Sequence, residues 1–306
     1  MNRLLAVVTG PTASGKTALA IDLAQRYSTE IISADSRQIF KDLPIGTAAP
    51  TPEERSRAFH HLIGTHSLDS YYSAACFERD ALEILPGIWG KSPVAIVCGG
   101  SQMYVDALVN GIDEMPTVSD ATRAYVLGLL EHHGLQGVLA QLEICDPDYF
   151  REVDRANTRR VVHAVEVSLE AGAPYSSFRT GRARKRDFEV LKMAIDMPRE
   201  VLFGRINARV DAMMEAGLED EARRAFAKGD FNSLNTVGYK EMRAMFNGDM
   251  DRDTAVARIA KNTRVYAKKQ LTWLRRDPSV RWISSTAEAV VLVDAKLLEM
   301  GITQKL

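Results

Sequence analysis

Four groups of residues have the types and spacing to do chemistry. The first is Gly10-Pro11-Thr12-Ala13-Ser14-Gly15-Lys16-Thr17, which follows the apolar run Leu4-Leu5-Ala6-Val7-Val8 and precedes Ala18-Leu19-Ala20-Ile21. This is G-x-x-x-x-G-K-[ST] between a strand and a helix, the context in which the pattern cradles linked phosphates. Glycines let the backbone curl so that successive N–H groups point into one concavity, and the helix adds the positive end of its dipole. Lys16 supplies a full charge, and the Thr17 hydroxyl is a ligand for Mg²⁺. The second group is Asp35-Ser36-Arg37-Gln38, after the short apolar run Ile31-Ile32. A carboxylate at the end of a parallel strand lies at the ligand crevice, as a base or beside a metal, although Asp and Ser also suit a helix N-cap. The third is Gly99-Gly100-Ser101, after Pro93-Val94-Ala95-Ile96-Val97-Cys98. A conventional P-loop ATPase or GTPase carries an Asp at such a strand end to hold Mg²⁺; here two glycines allow close backbone approach and Ser101 offers a hydroxyl. The fourth is a set of basic clusters. Residues 179–186 hold five bases and no acid; Arg155, Arg159, Arg160 and His163 make a stripe; six bases without an acid occupy positions 261–276, with Tyr266 and Trp273 among them. Uniform positive charge of this kind fits a phosphate backbone.

These groups need a scaffold of some size. At 306 residues, 46% apolar and 26% charged with a net charge of −1, the chain has ordinary globular composition. Cys76, Cys98 and Cys145 are isolated and odd in number, neither a disulfide framework nor a zinc pattern, which suits a reducing cytosol. No run of eighteen apolar residues is present and the first residues enter a strand, so no membrane span or signal peptide is expected and the default location is cytoplasmic. His60, His61 and His66 invite a metal reading, but adjacent histidines cannot both face one ion, and structural roles are expected.

Periodicity predicts a helix over 16–27, strands at 30–34 and 93–98, a helix over 102–109, and a long structured connection without regular elements at 41–75. From 119 to 171 the pattern is helical. Ser119 caps a segment with Tyr125, Val126, Leu129 and Leu130 on one face, 135–144 form a second helix, and Asn157 caps a third that ends at Gly172. A strand resumes at 190–195. Some eighty residues of helix between two strands of one sheet read as an inserted domain. The expected organisation is α/β: a P-loop NTPase-like core with a parallel sheet over 1–115 and 188–306, and an all-helical insertion over 116–187. Amphipathic helix is expected over 199–227, with Val201, Leu202, Ile206, Val210 and Met213 buried and a break at Gly217. A helix over 253–274, a strand near 280–283 and a short helix close the chain.

The motifs in order resemble the tRNA dimethylallyltransferase (tRNA isopentenyltransferase) family, bacterial type. The phosphate loop, Ser33-Ala34-Asp35-Ser36-Arg37-Gln38, Ile45-Gly46-Thr47-Ala48, His60-His61-Leu62, Gly99-Gly100-Ser101, Gly238-Tyr239-Lys240-Glu241 and the closing segment from Thr263-Arg264 to Gln270-Leu271-Thr272-Trp273 carry the resemblance over nearly the whole chain. It implies transfer of the dimethylallyl group of dimethylallyl pyrophosphate to the exocyclic amine of the adenosine immediately 3′ of the anticodon, in tRNAs that read codons beginning with U. The phosphate loop would then bind the donor's pyrophosphate with Mg²⁺, rather than ATP, and the helical insertion would grip the anticodon stem-loop. The resemblance places tRNA contacts at Asp35, Ser36, Arg37, Gln38, Ser101, Arg123, Arg159, Arg160, Val161, Val162 and His163. Asp35 is then the base, with Ser101 and Lys16 as further catalytic groups, and Thr17 is the metal ligand.

Three positions depart from the family pattern: Ser101 stands for a usual Thr, Phe40 for a usual Tyr, and His163 for a usual Arg. No cysteine follows Cys145, so the C-terminal zinc finger of eukaryotic relatives has no counterpart in this sequence. Nothing forces a dimer, and a monomer is expected. The rival readings are a small-molecule kinase, prenylation of free adenine nucleotides, a GTP switch and a non-catalytic RNA-binding protein. The first lacks a Mg²⁺-binding acid after the 94–98 strand, the second does not use the basic insertion, the third lacks D-x-x-G and N-K-x-D, and the last leaves Asp35 and the phosphate loop without purpose.

Overall fold

The structure, a computed structural model, describes residues 3–181 and 183–302. Its packing divides the chain into two compact units, one formed by residues up to Asn110 and from Lys185 onward, the other by Gly111–Arg184.

The first unit is built on a six-stranded parallel sheet of β1 (Leu4–Thr9), β2 (Ile31–Ser33), β3 (His60–His61), β4 (Val94–Cys98), β5 (Glu189–Ile195) and β6 (Arg281–Ile283). The spatial order is β3-β2-β4-β1-β5-β6. All six residues of β1 are buried, as a central parallel strand covered on both faces requires. Leu4, Ala6 and Val8 share one face of the sheet with Leu19, Ile21 and Leu23. The register pairs Val8 and Ser33 with Cys98, so the carboxyl ends of β1, β2 and β4 finish level with one another. The segments that leave them are the three site motifs.

Helices α1 (Lys16–Arg26), α2 (Pro52–Arg57), α3 (Ala74–Trp89) and α4 (Gln102–Asn110) precede the second unit. That unit consists of α5 (Asp120–Cys145), α6 (Pro147–Glu152), α7 (Thr158–Ala171) and α8 (Tyr175–Phe178). Returning to the sheet unit, the chain forms α9 (Arg199–Glu215), α10 (Leu218–Lys228), a 3-10 turn at Asn232–Leu234, α11 (Tyr239–Phe246), α12 (Arg252–Leu274) and α13 (Thr286–Glu299).

Several local expectations are revised. The 41–75 connection contains α2, with Pro52 in its first turn and a Thr51–Glu54 capping box, and the edge strand β3. Helix α3 has no counterpart among the expected elements; Pro86 and Gly87 mask a stripe of Phe77, Ala81, Leu85 and Ile88 that is buried. Within α5 the backbone leaves helical geometry at Gly134, which separates the two expected helices, but Tyr125 points outward, 57% exposed, while Val126 is buried. On α9, Val201 is 47% exposed; Leu202, Ile206 and Val210 form the stripe.

The edges of the helical unit lie at 111 and 184, several residues before the expected 116 and 187. Asp113 accepts hydrogen bonds from Thr180 and Gly181, and Glu114 pairs with Arg184, tying 111–114 to the segment that follows α8. At the other edge, Arg186 is buried against Glu78 of α3 at 2.6 Å and Phe188 packs on Trp89, so these residues belong to the sheet. The core of the helical unit is Val126, Val138, Leu142, Val161, Ala164 and their neighbours.

Candidate active site

The phosphate loop leaves β1 after Thr9 and ends where α1 begins at Lys16. Gly15, the residue before α1, has φ +94°, a left-handed conformation that side chains disfavour. Inside the curl, Ser14 Oγ is buried with no hydrogen-bond partner among the described residues. A buried hydroxyl without a partner inside the loop is a free donor that an acceptor-rich ligand could use. Lys16 folds back on the loop, its Nζ donating to the Pro11 carbonyl at 3.2 Å. Burial lowers its pKa below the ordinary lysine range, the Arg209 guanidinium pushes the same way, and Asp35 opposes them. A polyanion in the loop would reverse that shift.

Two arginines of α9 complete the positive lining. Arg209 donates to Thr12 Oγ1 at 3.1 Å and Arg205 to the Ser14 carbonyl at 3.4 Å. Burial pushes the Arg209 pKa down, yet the guanidinium stays charged at any working pH. Neither residue is among the expected site residues. Their signal in the sequence is only an i, i+4 pair of arginines on a helix whose other side is apolar.

Asp35 sits at the end of β2, and its Oδ1 accepts from the backbone N–H groups of Arg37 at 2.9 Å and Gln38 at 3.3 Å. The cap-like and crevice readings therefore coincide: the turn orients the carboxylate, which also lines a cavity of about 540 Å³ with Lys16, Thr17 and Arg209. A second cavity of about 240 Å³ takes Asp35, Ser36, Arg37 and Tyr266 as part of its wall. Ser101 Oγ accepts from the Ser36 N–H at 2.9 Å, joining the third motif to the second. Gly99 explains why no acid stands at this strand end: a Cβ there would lie 2.0 Å from the Ala34 carbonyl oxygen. Gln38 donates to the carbonyls of Thr47 and Ala48, and Arg37 to those of Asn232 and Ser233. Both are thus braces of the site wall.

Beneath that wall, Glu221 of α10 accepts from the N–H groups of Ile45 and Gly46, each at 2.8 Å, and from the Tyr239 hydroxyl at 2.6 Å. Glu221 is also absent from the expected site. Phe40 is 6% exposed, where a tyrosine hydroxyl would be enclosed. The histidines at 60, 61 and 66 have local roles: His60 Nδ1 contacts the Ala58 carbonyl, His61 pairs with Glu30 at 2.7 Å, and the His66 ring packs at a tilt against Tyr72. Burial lowers the His60 pKa, which keeps that ring neutral.

As for a metal, no three His, Cys, Asp or Glu side chains gather as a cage among the described residues. Thr17 lines the phosphate cavity, whose wall also carries Thr12, Thr47 and Thr51 and the carboxylates of Asp35 and Glu54. That donor set fits Mg²⁺, which keeps several waters and is bound through substrate phosphates rather than by an all-protein cage.

The basic clusters divide. Within 179–186, Arg179 pairs with Glu152, Arg184 with Glu114 and Arg186 with Glu78, while Arg182 lies outside the described residues. On α12, Arg258, Lys261, Lys268 and Lys269 are exposed, as are Tyr266 and Trp273. In the helical unit, Arg159, Arg160 and His163 face outward on α7, whereas Val161 is wholly buried and Val162 half-buried, so Val161 offers no side-chain surface to a ligand. Arg123 lies 4.0 Å from Glu166, as does His163. Partial burial holds the His163 imidazole below its ordinary pKa, Arg123 adds to this and Glu166 opposes it, so His163 is a neutral hydrogen-bonding group near pH 7.

A parallel sheet with a glycine-rich loop between β1 and α1, open at the carboxyl ends of its strands, defines a P-loop NTPase-like α/β protein. The profile described as "IPP transferase" matches residues 38–277, and that described as "Isopentenyl transferase" matches residues 3–69. The chain is 49% identical over 284 residues to a Porphyromonas gingivalis protein named tRNA dimethylallyltransferase 2, covering 93% of this chain and 95% of the relative. It is 41% identical over 301 residues to the tRNA dimethylallyltransferase of Cytophaga hutchinsonii, covering 98% and 99%. Among solved structures, the tRNA isopentenylpyrophosphate transferase of Bacillus halodurans superposes with a TM-score of 0.72 at 31% identity, covering 98% of each chain. A eukaryotic dimethylallyltransferase acting on tRNA shares the fold, with a TM-score of 0.83 at 23% identity over 99% of this chain and 81% of that one. The chain belongs to the IPP transferase family, the tRNA dimethylallyltransferases.

Proposed function

We propose that this chain transfers the dimethylallyl group from dimethylallyl pyrophosphate to the N6 amine of the adenosine immediately 3′ of the anticodon, in tRNAs reading codons that begin with U. The observation that carries this reading is the pairing of a phosphate loop with Asp35 after β2 and with Gly99-Gly100-Ser101, in place of an acid, after β4. A phosphotransferase of this fold uses an acid there for Mg²⁺.

The carbon–oxygen bond of the donor breaks with its electron pair on pyrophosphate. The amides of residues 13–17, Lys16 and Arg209 hold that leaving group as charge develops on it. Mg²⁺, held by Thr17 and the pyrophosphate oxygens, would add electrostatic stabilisation of the same charge. The adenine amine is a poor nucleophile because its lone pair is delocalised into the ring. Asp35 takes its proton as the nitrogen–carbon bond forms, a contribution of about 10²–10⁴-fold. Ser101, fixed by the Ser36 amide, orients the reacting groups. The adenine must leave its stack first, at a cost of a few kcal/mol. Exposed bases on α12, together with Arg123, Arg159 and Arg160 of the helical unit, offset this by binding the anticodon stem-loop through its phosphates. The protein acts as a cytoplasmic monomer; no helix among the described residues is long and apolar enough to cross a membrane.

The test is Asp35→Asn, which keeps the turn and removes the base. Prenylation of tRNA should fall about 10²–10⁴-fold with donor and tRNA affinities kept. Near-normal turnover would remove Asp35 from the chemistry.

A further inference from the structure

Gln270 takes no part in the steps above, yet it is 5% exposed and lies between two parts of the site. Its Oε1 accepts the Thr12 N–H of the phosphate loop at 2.9 Å, and its Nε2 donates to the Gly100 carbonyl at 2.9 Å. Gly100 precedes Ser101, whose hydroxyl is tied to the Ser36 amide beside Asp35. One carboxamide thus closes a chain from the loop that holds the leaving group to the strand end that carries the acceptor-side groups. The fit admits nothing larger: a Cβ on residue 100 would stand 2.4 Å from Gln270 Nε2. It also demands both a donor and an acceptor at that reach. A carboxylate supplies only acceptors and a thioether neither strong donor nor acceptor.

We propose that Gln270 is a positioning residue, which locks the pyrophosphate loop in register with Ser101 and Asp35. Prenyl transfer requires the donor carbon and the acceptor nitrogen to meet at about 3–3.5 Å, and a displacement of about 1 Å costs about 10²-fold in rate. Without the bridge the loop still binds pyrophosphate through its amides, Lys16 and Arg209, and the RNA surface is unchanged. The bridge therefore acts on turnover rather than on binding. This rests on the prenyl-transfer reading of the site.

Gln270→Glu and Gln270→Met test it alongside the wild-type enzyme. The first keeps the acceptor for Thr12 and opposes a carboxylate to the Gly100 carbonyl; the second fills the space and makes neither bond. Steady-state tRNA prenylation, donor and tRNA dissociation constants, and thermal unfolding are measured on all three proteins. The expected result is a kcat lowered about 10- to 100-fold in both variants, with both dissociation constants within about 3-fold of wild type. Folded variants whose kcat stays within about 2-fold of wild type overturn the proposal. So does a rate loss matched by an equal weakening of donor binding, or unfolding of both variants at the assay temperature, since either makes Gln270 a packing residue. A wild-type enzyme that does not prenylate tRNA overturns the underlying reading instead, and the proposal with it.

Discussion

The clamp under the site wall is the feature whose energetics can be worked out most fully. Glu221 is 2% exposed and accepts three hydrogen bonds, from Ile45 N–H, Gly46 N–H and the Tyr239 hydroxyl. Burial, with the carboxylate alongside, holds the Tyr239 phenol well above its ordinary pKa, so it remains a donor at every working pH. In Glu221→Gln one oxygen becomes an NH₂ that faces a backbone N–H. One bond is lost and replaced by two opposed donors, and the other two lose their charge assistance. With hydrogen bonds to charged groups worth about 1.5–3 kcal/mol and an orphaned buried donor costing about 1–3 kcal/mol, the loss is about 3 kcal/mol. For a unit of this size that lowers Tm by about 6–10 °C. Tyr239→Phe removes one bond to the carboxylate and should cost about 1.5–2 kcal/mol, or about 3–8 °C. Because Ile45, Thr47 and Ala48 line the phosphate cavity, the donor KM should rise in the same order, glutamine above phenylalanine. Scanning calorimetry and donor titration of the two variants measure both effects. If both unfold within about 1 °C of wild type, the three bonds are not the clamp and the energetic reasoning fails.

Three further outcomes follow from the charges. Lys16 has a lowered pKa in the free enzyme and must be charged to hold pyrophosphate. Donor affinity should therefore decline as pH rises, beginning below the ordinary lysine value of 10.5, and kcat should be less affected because the bound anion raises the pKa again. A donor dissociation constant that stays flat to that pH, measured by calorimetry, would contradict this. Replacing Arg258, Lys261, Lys268 and Lys269 by Gln should lower the slope of log Kd for tRNA against log salt by about one for each RNA phosphate that a side chain no longer neutralises. Arg186→Met should leave that slope unchanged and instead cost about 3–5 kcal/mol of stability, because it breaks a buried pair with Glu78. Filter binding across a salt series, with a melting curve for Arg186→Met, separates the two.

What the sequence makes legible here is what is encoded locally. The phosphate loop, Asp35 and Ser101 each lie in a short motif at a strand end, and the parallel register brings those ends level. Arg209, Glu221 and Gln270 act on residues 197, 176 and 258 positions away, and no local pattern announces such a partner. The basic run at 179–186 illustrates the same limit from the other side. Its composition reads as a polyanion footprint, but the partner of Arg186 is 108 residues upstream in a helix that Pro86 and Gly87 conceal. Val161 is buried, and Val162 half-buried, between the outward-facing Arg159, Arg160 and His163 because the 3.6-residue period turns Val161 into the core.

The most direct measurement is incubation of the protein with unmodified tRNA and dimethylallyl pyrophosphate, followed by mass spectrometry of the digested nucleosides. N6-isopentenyl adenosine should appear at the position 3′ of the anticodon, with release of pyrophosphate and with no product from free AMP. Unmodified adenosine in the tRNA, or prenylation of AMP in preference to tRNA, would contradict the assignment of donor, acceptor and loop together.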